Sequence, residues 1–487
     1  MKKILFLIST VLMSITTLTA QNEIDALRYS YLIPGGTARS MGMAGSFGAL
    51  GADASNLSFN PAGMGVYRSA DFTFSPAFVV TNTDANYLEN IANDYDFNFN
   101  INNFSYIGVI PTKMDGLTSV NLGVSYNRLN NFHENIVIEG KNTNNSMTDW
   151  FAENGAGRTY DALDGFYSSL AWESYLIDLN PLDTTNRTYV SAYNGNYDQT
   201  QIQSIYRSGS QGEYNFAASA NIMHKLFIGV SIGLQSIRYE EVKSLQEIDK
   251  DDNINGFNSF SFKESLETSG SGVNFKIGLI YSALPWFRIG GAIHTPTFYN
   301  LRDNYYTSIS SSFEDSDKSI NMDSPYGTFD YEINTPFRAN GSLGFIIAKQ
   351  ALINVDYEFV DYNMARLRSN EYAFYDENTN IRKEYKNAHN IKLGFEYRYG
   401  ALSFRAGGAY YDSPYKSDHA NKDAYTFVYT GGIGIRGSSM YFDIAYAMVN
   451  NKNYYYMYEG VDNNNTSPAT LLTKNQNRII TTVGFKF

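Results

Sequence analysis

Few residues in this chain have the types and spacing that catalysis or metal binding requires. Its 487 residues include no cysteine, which excludes a thiolate nucleophile, a disulfide and a cysteine-ligated metal. The five histidines are scattered without the short spacing of a zinc site. A serine hydrolase would need a Ser, a His and an orienting polar group, and no nucleophile motif marks one. We therefore predict a protein that is not an enzyme and that holds no metal and no cofactor.

Two segments match part of a ligand-binding motif, but each lacks a required feature. Residues 432–437, GIGIRG, have the letters of the dinucleotide fingerprint, which needs a helix after it, and here another strand follows. Residues 251–256, DDNING, begin like a calcium loop, but the twelfth position is Phe262 where that loop needs a bidentate Glu. We expect a strand at the first segment and a solvated acidic turn at the second.

The elements that would position any site are strands. From about residue 70 onward, apolar and polar residues alternate with the period of two that a sheet with one apolar face produces. In residues 391–399, for example, Ile391 and Leu393 share one face, while Lys392 and Glu396 share the other. About fourteen such segments begin near Ala70, Asn102, Leu117, Tyr206, Lys225, Phe262, Trp286, Phe329, Ala351, Glu384, Ala401, Thr426, Met440 and Asn477.

The connections between these segments alternate in length. Short turns are expected around residues 111–116, 221–224, 282–285, 348–350, 399–401 and 436–439, and long loops over residues 82–101, 135–205, 241–261, 301–327, 367–383, 412–425 and 450–476. An even strand number with short turns at one end and long loops at the other is typical of bacterial outer-membrane barrels. The spacing of apolar residues also predicts a helix over residues 161–179, within the longest loop.

The composition agrees with a barrel that crosses a membrane with strands. The chain has 40 Tyr and 32 Phe with a mean hydropathy of -0.33, as expected where strands are apolar on one face only. Past the leader, no uninterrupted apolar run approaches the roughly 20 residues of a helical span. The formal charge of -12 argues against a nucleic-acid partner. The predicted fold class is all-β, a 14-stranded antiparallel transmembrane β-barrel.

Both chain ends carry features of export. Lys2 and Lys3 precede an apolar run that ends before Ala20, which predicts a signal peptide over residues 1–20. The last strand alternates up to Phe487, and this aromatic ending resembles the signal that the barrel assembly machinery recognises; an ordinary edge strand is the alternative. We predict a multi-pass β-barrel in the outer membrane of a Gram-negative-type cell, in contact with outer-membrane lipid.

Residues 21–69 have a different composition from the strands that follow. Eight glycines lie between Gly35 and Gly65, and the segment has no strand alternation. Glycine permits tight turns and close approach that other residues cannot adopt. The segment is therefore predicted to be a compact plug in the lumen, and residues 70–487 the barrel.

The same segment carries a resemblance to a known family. Residues 42–45, GMAG, and 52–55, ADAS, precede Asn60, Pro61, Ala62 and Gly63, and this order resembles the amino-terminal hatch of the FadL/TodX family of outer-membrane transport proteins. Weaker similarities lie at residues 294–296, 404–407 and 412–414. The family implies a 14-stranded barrel that takes long-chain fatty acids or other hydrophobic compounds from outside and releases them sideways through a kinked third strand.

That resemblance makes two regions candidate parts of a transport path. The third strand would run over residues 117–131, and Gly123 is the candidate kink of a lateral gate, because glycine weakens a strand ladder. The alternative is that Gly123 only makes room for a neighbouring side chain. An apolar lumen would recover about 0.8 kcal/mol per buried methylene, so a hydrophobic cargo suits a plugged barrel better than a wet pore.

A cargo with a carboxylate head group would also need a positive partner in the lumen. Lys392, Arg398 and Arg405 are the candidates on the inward strand faces. Acidic residues on the same or adjacent strands are Asp356, Glu358 and Glu396. Two interpretations follow, binding of the head group or a self-neutralising ion-pair network within the barrel.

Three other functions stay open from the sequence. The barrel could be a binding or assembly partner in protein secretion, a haemin receptor, or a general porin. A continuous apolar tunnel that reaches a gap in the third strand would favour transport, whereas a lumen packed shut would favour the partner role. A porin would have a charged constriction and no hatch, which the glycine-rich segment argues against.

Overall fold

Fourteen long antiparallel strands form the body of the protein. The computed structural model describes residues 22–193, 195–314, 319–460 and 465–487, so the predicted signal peptide lies outside the described residues. The barrel strands are β1 Asp71–Tyr87, β2 Asn90–Pro111, β3 Leu117–Asn131, β4 Thr200–Ile222, β5 Leu226–Ile248, β6 Phe257–Leu284, β7 Phe287–His294 continuing as Phe298–Phe313, β8 Gly327–Asn334 continuing as Arg338–Ile347, β9 Ala351–Asp361, β10 Asn387–Tyr399, β11 Leu402–Tyr411, β12 Thr426–Arg436, β13 Met440–Tyr455 and β14 Thr470–Lys486.

The sheet closes on itself. Each strand pairs with the next along the chain, and β1 pairs with both β2 and β14, so that Asp71 lies opposite Ile107 on one side and Lys486 on the other. A closed sheet leaves no row of unpaired backbone groups at an edge. The sequence prediction of a 14-stranded antiparallel barrel is confirmed.

The barrel wall is apolar outside and polar inside. Along β3, Leu122 and Val124 are exposed, whereas Asn121 before them and Ser125 and Asn127 after them are buried. The same alternation continues on the neighbouring strands, where Phe216 and Ile232 face outward. This distribution is the one that a barrel in lipid requires.

Connections at the two ends of the barrel differ in length. Short turns at residues 112–116, 223–225, 285–286, 348–350, 400–401 and 437–439 define what we call the turn end, where Phe487 also hydrogen-bonds to Ala70. The opposite end, the loop end, carries the longer connections, as predicted, with one exception. Residues 82–101 are not a loop, because β1 and β2 continue to a tight hairpin at residues 88–89.

The amino-terminal segment, residues 22–70, contains short helices rather than strands. These are α1 Glu23–Ser30, α2 Ala38–Met41, α3 Asn56–Phe59 and a 3-10 helix over Pro61–Val66. The segment begins at the loop end, where the Tyr385 hydroxyl donates to the carbonyl of Glu23, and ends at the turn end, where β1 starts. Most of its residues are buried.

The loops fold over the loop end in short elements. They are the strands Glu134–Lys141, Ile177–Leu179, Tyr189–Ser191, Ile320–Asp323 and Arg366–Arg368, the helices α4 Met147–Gly155, α5 Ser168–Glu173 and α6 Tyr375–Glu384, and 3-10 turns over Tyr160–Ala162 and Tyr362–Met364. Among the described residues, no helix combines the length and apolar character that a membrane crossing requires. A buried apolar cluster that includes Tyr87, Phe151, Leu170 and Phe262 packs these loops against the strand ends.

The single helix predicted over residues 161–179 is wrong. A carboxylate interrupts it, because Asp164 accepts hydrogen bonds from the backbone N–H groups of Phe166 and Ser168 and so starts a new turn. Only Ser168–Glu173 is α-helical, and Ile177–Leu179 is a strand paired with Tyr189–Ser191. Side-chain capping competes with helix continuation, which apolar spacing alone does not reveal.

Candidate functional site

The lumen is the candidate site, and the amino-terminal segment occupies it. Backbone N–H groups of this segment donate to inward-facing side chains of the barrel wall: Ala38 donates to Thr482, Ala44 to Thr430 and Phe47 to Asp356. The three acceptors lie on β14, β12 and β9, so the segment is held from several sides. Any molecule crossing the barrel along its axis would have to displace it.

Asn60 shows why the motif of residues 60–63 has these residue types. Its Oδ1 accepts a hydrogen bond from the N–H of Ala62 and so caps the 3-10 helix, in which Pro61 occupies the first position. Its Nδ2 donates to the carbonyl of Gly48 at 2.7 Å and to the carbonyl of Leu279 in β6 at 3.3 Å. One side chain therefore joins the helix, the preceding turn and the barrel wall.

Glycines in the wall allow this close approach. A Cβ on Gly278 would lie 2.0 Å from Oδ1 of Asn60, and a Cβ on Gly229 would lie 2.3 Å from the carbonyl carbon of Pro61. Such distances are too short for any side chain, so β5 and β6 must carry glycine where the motif contacts them. The wall therefore has no side chain at the two positions where the motif comes closest to it.

An ion-pair network holds the segment near the turn end. Arg39 of α2 donates through Nε to Glu396 at 2.9 Å, and Arg405 donates to the same carboxylate at 2.7 Å. Arg405 Nη1 also lies 2.7 Å from Asp443, and Arg398 pairs with Glu396 at 2.7 Å. Because Arg405 and Glu396 are fully buried, this network lies within the folded lumen and ties α2 to the wall.

A small chamber lies on the loop-end side of the helices. Its apolar lining includes Leu32, Phe59 and Leu129. Its charged lining comprises Glu213, Lys276, His294, Arg338, Glu358 and Lys392. The chamber holds about 40 Å³, room for roughly three waters. Sites for small organic ligands usually measure some 300–1,000 Å³, so the lumen described here is closed.

The charged groups around the chamber are mostly paired with each other. Lys276 lies 2.5 Å from Glu213 and donates to Asn215 at 3.0 Å, and Arg338 pairs with Glu358 at 2.8 Å. The His294 Nε2 lies 2.7 Å from the carbonyl of Phe59. Paired in this way, these groups hold the chamber shut.

Lys392 is the least tightly paired cation of the chamber. Its Nζ lies 3.9 Å from Glu358, beyond hydrogen-bond length, and faces the rings of Phe59 and Tyr411 at 5.2 and 5.5 Å. The two rings hold the ammonium group by cation–π contact, and without a close carboxylate it is suited to an anionic head group. Of the three basic candidates, Lys392 alone lines this chamber, because Arg398 lines a different cavity and Arg405 is enclosed by its two carboxylates.

The third strand has the bounds that the sequence predicts, Leu117–Asn131, but Gly123 does not break it. Gly123 is in regular register with both neighbours, opposite Ile107 of β2 and Ala217 of β4. The irregularities of β3 lie between Leu117 and Ser119 and between Arg128 and Asn130. A Cβ on Gly123 would lie 2.5 Å from Sδ of Met64, so this glycine makes room for the 3-10 helix.

A wide apolar concavity lies on the outer surface beside β3. It measures about 920 Å³ and spans β2 to β7, with Leu122, Val124, Phe216, Ile232 and Ile277 among its lining residues. Gly123, Ala217 and Lys276 also line it, although Lys276 is directed to the lumen pair with Glu213. Lys276 and Thr295 line both cavities, so the chamber and the apolar concavity lie on opposite faces of the wall there.

The Glu213–Lys276 pair was not predicted from the sequence. Lys276 is a lone cation within the otherwise apolar run of residues 273–281, VNFKIGLIY, and an inward-facing charge there needs a partner. Finding that partner required the register that places β4, β5 and β6 side by side. Residue spacing along one strand does not contain this information.

Comparison with known proteins gives a match in structure and none in sequence. No protein-family model matches the chain, and no curated protein matches it in sequence. A Pseudomonas aeruginosa FadL homologue superposes with a TM-score of 0.57 and 12% identity, over 94% of this chain and 100% of that chain. The Pseudomonas putida toluene transporter TodX gives 0.52 and 13%, over 93% and 98%.

A third barrel agrees with these two. The CymD monoaromatic hydrocarbon channel superposes with a TM-score of 0.51 and 12% identity, over 93% of this chain and 98% of that chain. Matches over nearly the full length of both chains show a shared fold. The chain has the fold of the FadL and TodX barrels, which the motif of residues 60–63 led us to expect.

Proposed function

We propose that this protein is an outer-membrane channel that passes hydrophobic small molecules, long-chain fatty acids or monoaromatic compounds, into the cell. The observation that carries the proposal is a closed barrel, apolar outside, whose lumen is filled along its length by its own amino-terminal segment. A general porin needs a water-filled lumen, whereas a channel for a hydrophobic cargo must exclude water. The fold shared with hydrocarbon channels and a FadL homologue supports the same proposal.

The proposal assigns a role to each part of the chain. Residues 1–20 are the signal peptide that directs export, residues 21–69 are the hatch, and residues 70–487 are the barrel. The exposed apolar side chains of the strands support placement in a bilayer, and in the outer membrane the turn end faces the periplasm. The strand ending in Phe487 is the segment that the assembly machinery would bind.

Cargo entry requires the hatch to move. The chamber of about 40 Å³ cannot hold a fatty acid, so the closed state must exchange with an open one. Displacing the segment would break the Asn60 hydrogen bonds and the Arg39–Glu396 pair, each a contact between the segment and the wall. An apolar cargo offsets that cost by about 0.8 kcal/mol for each methylene it buries.

Lateral release through β3 is the proposed exit. The apolar concavity outside this strand supports it, because a cargo leaving there would enter an apolar surface of about 920 Å³. The ladder through Gly123 is continuous in this structure, so release needs an opening between β3 and a neighbour. Movement of the 3-10 helix away from Gly123 would remove the contacts that back this part of the wall.

Cargo capture tests the proposal. The full barrel and its Asn60→Ala variant would be purified in a detergent unlike any natural ligand and compared by native mass spectrometry with lipid extraction, with Asn370→Ala in an exposed loop as control. We expect co-purified acyl or aromatic molecules in the wild type and the control, and fewer in Asn60→Ala. Uptake of labelled oleate and of labelled toluene by cells expressing each form would then identify the cargo.

The partner role in secretion is the competing function, because a lumen with a chamber of only about 40 Å³ is compatible with it as well as with a closed channel. It predicts that the barrel is empty in every form, that uptake equals that of cells without the barrel, and that a secreted protein co-purifies with the wild type. That combination would overturn the transport proposal. A haemin receptor would instead co-purify with haem, which absorbs visibly.

A further inference from the structure

A second cavity opens at the turn end, apart from the chamber. It measures about 420 Å³ and is bordered by the last residues of several strands and by the segment from Leu50 to Ser69. We call it the vestibule. Seven basic and three acidic residues line it, in a chain whose formal net charge is -12.

The basic residues reach the vestibule from separate parts of the chain. Arg288 is near the start of β7, Arg398 and Arg436 are near the ends of β10 and β12, Lys349 is in the turn before β9, and Lys486 ends β14. Four strands and one turn therefore each contribute a cation to one rim. Scattered surface charges would not concentrate a single sign in this way.

Three carboxylates, Asp53, Asp71 and Asp443, line the vestibule against seven cations. Glu396 holds Arg39, Arg398 and Arg405, and Asp71 accepts a hydrogen bond from the Tyr441 hydroxyl at 2.9 Å. Asp443 lies 2.7 Å from Arg405 and 3.9 Å from Arg436, and neither of its oxygens accepts a hydrogen bond among the described residues. The positive charge on the rim is thus incompletely neutralised by the protein.

Two of the guanidinium groups keep an unused donor. Nε of Arg288 and Nε of Arg436 are buried and have no hydrogen-bond partner among the described residues. Arg288 donates only through Nη1, to the carbonyl of Leu50 at 2.6 Å, and Arg436 lies over the ring of Tyr441 at 5.0 Å. Lys486 lies over the same ring at 5.6 Å. Buried donors without an acceptor indicate a missing anionic partner.

Apart from Thr37 and Ser69, the uncharged side chains of the lining are apolar or aromatic. Val66, Ile346 and Leu352 contribute to the wall of the vestibule, and Tyr67 and Tyr441 contribute rings. A site with cations on the rim and apolar side chains on the wall fits an amphiphilic anion better than an inorganic ion.

We propose that the vestibule is a binding site for an organic anion, a carboxylate with an apolar body, whose charge is held by Arg288, Arg436 and Lys486. The site lies outside the hatch on the proposed periplasmic side. Its place on a transport path rests on the proposed function, but binding at the vestibule does not, because the cavity is open in the closed state of the lumen.

Binding of a matched pair of probes tests the proposal. We would titrate the full barrel in a non-ionic detergent with 4-butylbenzoate and with its neutral analogue 4-butylbenzyl alcohol by isothermal calorimetry, subtracting empty micelles. The double variant Arg436→Gln with Lys486→Gln removes two charges from the rim. The control, Lys113→Gln with Lys225→Gln, removes two charges from exposed positions of other turns at the same end.

We expect the benzoate to bind the wild type and the control equally, and to bind the rim variant at least about tenfold more weakly. Its affinity for the wild type should fall as salt is raised. Equal binding of the alcohol, or an unchanged benzoate affinity in the rim variant, would overturn the proposal. Inorganic phosphate binding as tightly as benzoate would overturn the amphiphile assignment. Thermal unfolding of each variant confirms that it is folded.

A failure of this test is distinguishable from a failure of the proposed function. The vestibule experiment measures a soluble anion against rim residues, whereas the capture experiment measures hydrophobic molecules against Asn60 in the lumen. Loss of the first with retention of the second would remove the vestibule site and leave transport through the lumen supported.

Discussion

Single side chains of the lumen divide into those that hold the segment and those that could meet a cargo. Arg405, with its two carboxylates at 2.7 Å, belongs to the first group, so the ion-pair interpretation holds for it. Lys392 belongs to the second, because its nearest carboxylate oxygen is 3.9 Å away and two aromatic rings face it. Their residue types are similar, and their surroundings make the difference.

This difference predicts opposite effects for two matched substitutions. Lys392→Met should weaken binding of a carboxylate such as oleate severalfold while leaving a neutral hydrocarbon such as toluene unchanged, because only the charge on the chamber wall is lost. Arg405→Met should instead destabilise the barrel by about 3–5 kcal/mol, because Asp443 loses its closest ion pair.

Ligand titration and thermal unfolding, both in detergent, separate the two effects. Equal loss of oleate and toluene binding in Lys392→Met would show that this lysine shapes the chamber rather than holding a head group. A melting temperature of Arg405→Met equal to that of the wild type would contradict the structural role given to the network.

At the scale of elements, the 3-10 helix packs directly against β3 at Gly123. Gly123→Val should force Met64 and Leu57 away, since a Cβ there would lie 2.5 Å from Sδ of Met64 and 3.1 Å from Cδ2 of Leu57. Overpacking of this kind costs about 1–3 kcal/mol. We expect faster hydrogen exchange over residues 56–66, measured by mass spectrometry.

Gly108→Val on the adjacent β2 is the control. Its Cβ would meet nothing closer than 3.8 Å, so the same change of residue type should leave exchange in the 3-10 helix unaltered. Equal acceleration in both variants would mean that β-branched substitution perturbs the ladder itself, and the fit between Gly123 and the helix would not be the cause.

At the loop end, α1 and α6 form a contact that we expect to depend on pH. Burial, followed by the nearby charge of Glu23, raises the pKa of Glu384 to about 7, and Glu459 and Asp418 act in the same direction against Lys383. A raised carboxyl pKa means that the folded form holds the proton more tightly, so stability is lost as pH rises from about 4.5 through 7.

Hydrogen exchange of α1 and α6 should therefore be slower at pH 5 than at pH 8 in the wild type. In Glu384→Gln the two rates should be nearly equal, after correction for the intrinsic pH dependence of exchange, because the titrating group is gone. A pH dependence that persists in Glu384→Gln would assign it to Glu23 or Glu459 instead.

The sequence predicted the strands far better than the loops. Alternation predicted the first residue of four strands: β3, β9, β12 and β13. One face of each strand is the apolar outer surface and the other faces the lumen, which produces the alternation. β2 begins twelve residues earlier than expected, at Asn90 rather than Asn102. Beyond the apolar outer surface of the barrel, both faces of a hairpin can be polar or mixed. Alternation of apolar and polar residues therefore does not predict the strand there.

The candidate site was predictable only in part. The motif of residues 60–63 identified the segment that fills the lumen, since cap, proline and glycine each have a local backbone reason. The pairing of Lys276 with Glu213, and the convergence of Arg288, Arg436 and Lys486, arise from strand register and closure. Residues far apart in sequence meet there, and no local pattern specifies it.

Taken together, the parts form a barrel that is sealed in this state. The loops cover one end with a buried apolar cluster, the segment fills the lumen, and the wall is continuous through β3. A channel with this structure must work by moving its amino-terminal segment. If that segment is fixed, the channel should not conduct its cargo.

A disulfide lock tests this requirement directly, because the chain has no native cysteine. A Cβ on Gly344 would lie 3.2 Å from Cβ of Ala49, close to the 3.5–4.5 Å of a disulfide, so Ala49→Cys with Gly344→Cys would join the segment to β8. Gly432→Cys with Ala445→Cys, where the distance is 3.4 Å, joins only β12 to β13 and serves as the control.

The measurement is uptake of labelled oleate and toluene by cells carrying each oxidised pair, before and after mild reduction. We predict that the Ala49–Gly344 lock abolishes uptake, that reduction restores it, and that the wall control transports like the wild type in both conditions. Undiminished uptake through the locked barrel would contradict transport by movement of the amino-terminal segment.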